Sequence, residues 1–104
     1  MPVKQFSPSR PSEHDALVNE LVAEWTRPDA AAVEPVILEE KGRGGKLIHV
    51  WVIWSRWAQI DHIERSEIIM DAAERKLGID DAFFITSAMG LTGDEARRMG
   101  IDAR

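Results

Sequence analysis

The histidines are the first candidates for chemistry, because the chain contains no cysteine. Without thiols, disulfides, thiolate zinc sites and cysteine-held iron–sulfur clusters are excluded within this chain. The three histidines, His14, His49 and His62, are far apart in sequence. A metal site would need them to converge with a carboxylate, and their spacing gives no reason to expect this. We therefore predict no metal and no cofactor.

The carboxylates are numerous, but their spacing does not mark a catalytic pair. Most of those between Glu64 and Glu74 fall at helical spacing, which is typical of a solvated outer helix face. Acid–base catalysis needs two carboxyl groups whose pKa values are pushed apart by their surroundings. No nucleophile has a base close to it in the sequence. We predict that the chain is not an enzyme. The hypothesis of a small enzyme ranks third among the possible functions.

A glycine-rich segment is the second candidate site. It reads Lys41-Gly42-Arg43-Gly44-Gly45-Lys46, and its backbone amides could cradle a phosphate. Nucleotide-binding glycine loops lie between a strand and a helix, whereas this one lies between two predicted strands. We predict an exposed hairpin tip. The alternative is a phosphate or nucleic-acid contact through Arg43, Gly44, Gly45 and Lys46, with Arg56 nearby in sequence.

Four tryptophans are the most informative feature of the composition. Trp25 fits an apolar helix stripe, whereas Trp51 and Trp54 fall on opposite faces of one predicted strand. The row of Trp54 is wholly apolar, so we expect helices to cover it. The other row contains one polar residue, which is less costly to leave near water. It comprises Leu47, His49, Trp51 and Ile53. We predict that these four residues form a protein interface, although the N-terminal arm or a helix could instead cover them.

The length and net charge of the chain limit the remaining classes of fold and function. The chain has 104 residues, 44% of them hydrophobic, and a formal net charge of −5 at pH 7. This favours one α+β domain over residues 12–104, preceded by a flexible, proline-containing arm over residues 1–11. The acidic balance argues against bulk binding to nucleic acid or anionic lipid. No apolar run approaches the ~18 residues of a membrane span, and the N-terminus lacks a signal pattern, so we expect a cytoplasmic protein.

The periodicity predicts three helices and three strands. The helices are expected near 13–26, 60–77 and 93–99, and the strands at 36–40, 47–54 and 82–86. Asp61 and Arg65 stand four residues apart, as do ion pairs on one helix face. Thr92 and Glu95 have the spacing of a capping box. The order α-β-β-α-β-α predicts a two-layer sandwich in which helices cover one face of a three-stranded sheet.

With this predicted order of helices and strands, the chain resembles the BolA family, whose fold is a class II KH-like arrangement. The likeness covers roughly residues 12–96. It rests on the glycine-rich loop leading into HVWVIWS, on Trp57, on the helix IERSEIIMDAAERKLG, and on LTGDEA. The resemblance implies a non-catalytic protein that associates with monothiol glutaredoxins around a shared iron–sulfur cluster, with nucleic-acid binding in some members. The family has a cluster-ligating histidine before the third strand, where this chain has Asp80 and Asp81, so that ligation is not carried over.

The sequence therefore predicts a small BolA-like adaptor that binds a protein partner, or a second copy of itself, through the open sheet face. The alternative is a KH-like nucleic-acid-binding module that uses the basic hairpin. No membrane partner is expected.

Overall fold

The computed structural model describes residues 11–25 and 34–101. The elements follow one another as α1 (Pro11–Trp25), β1 (Val36–Lys41), β2 (Leu47–Ile53), α2 (His62–Leu77), α3 (Ile79–Ala82), β3 (Ser87–Leu91) and α4 (Gly93–Arg98), with short 3₁₀ turns at Arg43–Gly45 and Ser55–Gln59. The fold is a small α+β domain in the predicted layout. Apart from Pro11, the predicted arm lies outside the described residues, and Pro11 is the first residue of α1.

The sheet is mixed, and β2 is its central strand. β1 pairs with β2 antiparallel through the hairpin, and β3 pairs with β2 in parallel after the α2 crossover. The pairing brings Trp51 level with Leu38 on one side and Met89 on the other. Because side chains alternate along a strand, each such row lies on one face of the sheet.

Helices α1 and α2 cover the face that carries Trp54. The core cluster on this side contains Val50, Val52 and Trp54 from the sheet region, together with apolar side chains of both helices. Trp54 and Trp57 pack edge to face with their ring centroids 5.1 Å apart. The predicted assignment of Trp54 to the core face is confirmed.

The fourth helix departs from the expectation that all helices lie on one face. Ala96 of α4 is buried together with Ile53 and Leu91, which belong to the opposite face of the sheet. The predicted capping box starts this helix: Thr92 Oγ1 accepts from the Glu95 N–H, and the Thr92 N–H donates to Glu95 Oε1. The cap therefore sets α4 at one end of the otherwise open face.

The third strand lies at 87–91, so the predicted strand at 82–86 is wrong. Gly78 ends α2 at a φ of +90°, and the next residues form the short helix α3. The N–H groups of Ala82 and Phe83 donate to the carbonyls of Gly78 and Ile79, so they form helical hydrogen bonds instead of strand pairs. Phe83 is 82% exposed. Aromatic and β-branched residues gave 82–86 a strand pattern, but packing overrides such propensity.

Close packing at Gly90 explains why the third strand lies at residues 87–91. A Cβ at this position would lie 2.9 Å from Arg65 Cβ and from the indole of Trp57. Only glycine leaves room for α2 and Trp57 to approach the strand so closely. The carbonyls of Ala88 and Gly90 accept from Ser66 Oγ (2.6 Å) and Arg65 Nη1 (3.0 Å). With glycine at position 90, the segment SAMGL can form the strand against α2 and Trp57, which AFFIT, without a glycine, cannot do.

Candidate functional site

The sheet face opposite α1 and α2 is the candidate site. Three rows cross it: Val36, Ile53 and Leu91 form the terminal row, Leu38, Trp51 and Met89 the central row, and Glu40, His49 and Ser87 the polar row. Ala96 of α4 is buried with Ile53 and Leu91 at the terminal row, and the side chains of the central row pack against this same cluster. The central row is apolar and half-buried on all three strands.

The polar row is organised around His49. Its Nδ1 donates to Glu40 Oε1 at 2.6 Å, and its ring meets the indole of Trp51 edge-on with centroids 5.9 Å apart. The carboxylate fixes the proton on Nδ1 and so directs Nε2 away from Glu40. The face thus has one carboxylate, and a histidine from the neighbouring strand lies against it.

The predicted interface residues do not all lie on this face. His49, Trp51 and Ile53 belong to the three rows, and Ile53 is buried under α4. Leu47 is 7% exposed and packs in the helix-side core, so its predicted place beside Trp51 is wrong. The pairing of β1 with β2 shifts register between Glu40 and Lys41, opposite Leu47. This bulge breaks the simple alternation from which the position of Leu47 was inferred.

Sequence reasoning missed the flanking strands. Leu38 and Met89 complete the apolar row, and Glu40 is the partner of His49. The hairpin register could have indicated Leu38 and Glu40, because the two strands are joined by a short loop. Met89 and Ser87 could not be placed, since the predicted third strand was five residues too early.

Glu40, His49 and Ser87 are also the residue types of an acid–histidine–serine triad. In the described structure no hydrogen bond joins His49 to Ser87, whereas a triad needs the serine within hydrogen-bond reach of the histidine. An open cavity of about 400 Å³ lies between α2 and the start of β3. No ionisable side chain lines it; its lining residues are Ser66, Met70, Ile85, Thr86, Ser87 and Ala88.

The predicted basic set is divided between the two ends of β2. Arg43 and Lys46 lie at the hairpin, whereas Arg56 follows the strand, whose seven residues span roughly 23 Å. Arg56 pairs with Glu20 at 2.7 Å, and Lys46 pairs with Asp81 at 3.0 Å. Arg43 is exposed, and Gly44 and Gly45 hold positive φ at the loop tip. These residues do not form one basic surface.

An aromatic cluster lies beside the hairpin. Phe83 and Phe84 meet edge to face, and the Lys46 ammonium lies 5.2 Å from the centre of the Phe84 ring. Ile79, one helical turn before Phe83, is 72% exposed. This cluster is separate from the central row.

Titratable groups outside the face hold helices together. Burial alone would lower the pKa of His14, but its hydrogen bonds with Asp71 and Glu64 outweigh that effect and raise the pKa above its usual value. The backbone hydrogen bond from Thr92 lowers the pKa of Glu95, and Arg65 adds to this while burial opposes it. Within residues 11–25 and 34–101, no group of three potential ligands is placed to hold a metal ion.

Comparison with known proteins matches no family model, no curated protein sequence and no solved structure. Among the described residues, no helix is long and apolar enough to cross a membrane. The geometry of the sheet face is therefore the basis for a functional assignment.

Proposed function

We propose that the chain is a small, non-catalytic, BolA-like binding protein that associates through its open sheet face, with a second copy of itself as the partner. The observation that carries this proposal is the central row. It places three half-buried apolar side chains, including a tryptophan, side by side on three adjacent strands, next to the end of the face that α4 covers. Tryptophan is enriched at the energetic centres of interfaces.

Charge favours a second copy as the partner. The chain carries a net charge of −5, so most surfaces of two copies repel each other. The sheet face differs, because the single carboxylate of its three rows, Glu40, already accepts a hydrogen bond from His49. Two copies can therefore meet on this face without burying a carboxylate that lacks a hydrogen-bond partner.

The size of the face indicates a weak dimer. Three strands about 4.8 Å apart and rows about 6.6 Å apart give a strip of a few hundred Å². Stable complexes bury about 800 Å² on each partner, and smaller contacts are typical of transient association. We expect exchange between monomer and dimer rather than a permanent assembly.

Sedimentation equilibrium tests this proposal. Between about 10 μM and 1 mM, the wild type should shift from monomer to dimer mass, as expected of a small interface. Trp51→Ala should weaken dimerisation by more than tenfold, since a central interface tryptophan contributes at least about 2 kcal/mol. Ile63→Ala is the matched control, because Ile63 is exposed on α2, away from the sheet face.

A wild type that stays monomeric at 1 mM would overturn the proposal. A variant lacking residues 1–10 then identifies the cover: if it dimerises where the full chain does not, the arm occupies the face. Trp51→Ala must also keep the wild-type circular dichroism spectrum, so that lost association is not lost folding.

Nucleic-acid binding by the hairpin is the second candidate function. It is supported by exposed Arg43, which has no acidic partner among the described residues, and by the nearness of Lys46 to exposed Phe84. Single-stranded nucleic acid binds to such combinations of cations and aromatic rings. Salt-sensitive binding of a single-stranded RNA that Arg43→Ala and Phe83→Ala both weaken would favour it.

A further inference from the structure

We infer that the open cavity between α2 and the start of β3 binds a small uncharged carboxamide that carries a short apolar chain. The volume of the cavity, about 400 Å³, lies within the range of small-molecule binding sites. This inference goes beyond the proposed self-association, because it assigns a small-molecule ligand and does not depend on a second copy of the chain.

The lining of the cavity favours an uncharged ligand. Its six residues contribute three hydroxyl groups and three apolar side chains, and none of them is ionisable. A charged group placed against this lining would lose water of hydration without meeting an opposite charge, which is unfavourable. Carboxylates, phosphates and amines are therefore poor candidates for the group that contacts the lining.

Two of the hydroxyl groups can only accept hydrogen bonds from a ligand. Ser66 Oγ donates to the carbonyl of Ala88 at 2.6 Å, and Thr86 Oγ1 donates to the carbonyl of Ile48 at 3.2 Å. A hydroxyl group has one hydrogen, so these two oxygens present only lone pairs to a ligand. The ligand must therefore carry hydrogen-bond donors.

The backbone of β3 supplies a donor at the same place. The Ala88 carbonyl points away from β2, toward Ser66, and the N–H and carbonyl of one strand residue point to the same side. The Ala88 N–H is therefore directed to the cavity side of the strand. An ester accepts this hydrogen bond but cannot donate to the oxygens of Ser66 and Thr86. A primary carboxamide does both, because it has one carbonyl and two N–H bonds.

Met70 and Ile85 form the apolar part of the lining. Both side chains are half-buried. A short alkyl chain on the carboxamide can cover them, and the flexible methionine side chain can adapt to its shape. Hexanamide combines the two parts of such a ligand and is the probe for the experiment. Because the ligand is small and the cavity is open, we expect a dissociation constant in the millimolar range.

Amide chemical shifts of the isotope-labelled full chain, recorded during titration with hexanamide, test the site. The largest shifts should fall on Ser66, on Met70 and on the residues from Ile85 to Ala88. Hexanoate and methyl pentanoate are matched in size, but the first is charged and the second has no donor. Each should bind at least about tenfold more weakly than hexanamide.

Two variants test the lining residues. Thr86→Val removes one acceptor and keeps the shape of the side chain, while the backbone N–H of residue 86 still donates to Ile48 at 2.8 Å. It should weaken hexanamide binding about three- to tenfold and leave methyl pentanoate binding unchanged within about twofold. Met70→Trp should fill the cavity and abolish binding. Met99→Trp is the matched control, because Met99 is exposed at the end of α4.

Circular dichroism spectra identical to that of the wild type establish that the variants are folded. If hexanoate or methyl pentanoate binds as tightly as hexanamide, the assigned ligand class is wrong. If the shifts fall outside the lining, or if Thr86→Val leaves hexanamide binding unchanged, the assigned site is wrong. A titration without saturable shifts overturns the inference outright, and it leaves the proposed self-association unaffected.

Discussion

The guanidinium of Arg65 and the carboxylate of Glu95 join two helices that are thirty residues apart in sequence. Arg65 Nη1 lies 2.7 Å from Glu95 Oε1, and the arginine side chain is 4% exposed. The same guanidinium donates to the carbonyls of Ile60, Trp57 and Gly90. One buried side chain thus fixes the start of α2, strand β3 and helix α4 relative to one another.

Removing that guanidinium should be severely destabilising. Arg65→Met removes the arginine partner of the Glu95 carboxylate and one hydrogen-bond donor from each of three backbone carbonyls, so we expect a loss of about 3–5 kcal/mol. Urea denaturation followed by tryptophan fluorescence measures it. Arg75→Met, on the exposed side of α2, should cost less than about 1 kcal/mol. Equal losses in the two variants would contradict the role assigned to Arg65.

Glu95 should make stability depend on acid. Its pKa is lowered, first by the Thr92 backbone hydrogen bond and then by Arg65. A carboxyl with a lowered pKa in the folded state stabilises the fold above its unfolded pKa, near 4.5, and this contribution disappears as the pH falls through the folded value. We expect Glu95→Gln to be less stable than the wild type at pH 7, by about 2 kcal/mol. The difference in unfolding free energy between the wild type and Glu95→Gln should shrink below pH 4.5. A difference that grows there would refute this prediction.

His14 should produce the opposite dependence. Its Nε2 donates to Asp71 at 2.8 Å and its Nδ1 to Glu64 at 3.4 Å, which together require the protonated ring. Because its pKa is raised, the stabilisation is fully present below about pH 6.5 and is lost as the pH rises through the folded value. Thermal unfolding of the wild type and His14→Gln should therefore differ more at pH 5.5 than at pH 8.5. Asp71→Asn should reduce this pH dependence.

Glycine is required at position 90 but not at position 93. Gly90→Ala places a Cβ 2.9 Å from Arg65 and Trp57, so we expect a loss of about 1–3 kcal/mol or more from overpacking. At Gly93 the nearest atom to an added Cβ is Arg97 Nη1 at 3.8 Å, an ordinary contact. Gly93→Ala should therefore be near neutral. Denaturation midpoints of the two variants provide the comparison.

The aromatic residues of the two faces and of α3 should differ in their effects on stability. Trp54→Ala removes a buried core side chain and should cost about 3–5 kcal/mol. Phe83→Ala should change stability by less than about 0.5 kcal/mol, because the ring is mostly exposed. A large loss at Phe83 would show that residues 82–86 form the strand that their composition suggests.

The sequence predicts an element of the fold well where neighbouring residues determine it, and poorly where contacts distant in sequence determine it. Strands β1 and β2, helix α2 and the capping box at Thr92 depend on neighbouring residues, and their patterns predicted them within two or three residues. β3 depends on contacts with α2 and Trp57, which local propensity does not contain. Arg65 illustrates the same limit: its spacing from Asp61 suggested a helix-surface ion pair. Instead, Asp61 caps α2 by accepting from the Ile63 N–H, and Arg65 turns inward to Glu95.

The candidate site was predicted in part for the same reason. The polar character of His49 correctly indicated which side of β2 faces away from α1 and α2. The residues of this face that lie on β1 and β3 could be placed only once the register of the sheet was known. Leu47 was misplaced because the alternation of side chains along a strand does not reveal a bulge. The role of this face in association remains a prediction for the experiments above.

The side-chain hydrogen bonds to the carbonyls of Ala88 and Gly90 also bear on aggregation. These carbonyls point away from β2, toward the side on which another strand could add. Ser66 and Arg65 already occupy them, so this edge cannot template a foreign strand through those groups. On the opposite edge, β1 is only six residues long and ends in Glu39-Glu40-Lys41, a charged sequence that resists edge-to-edge stacking. Sheet growth into fibrils is therefore blocked at one edge and discouraged at the other, and concentrated solutions should remain free of amyloid-like polymers.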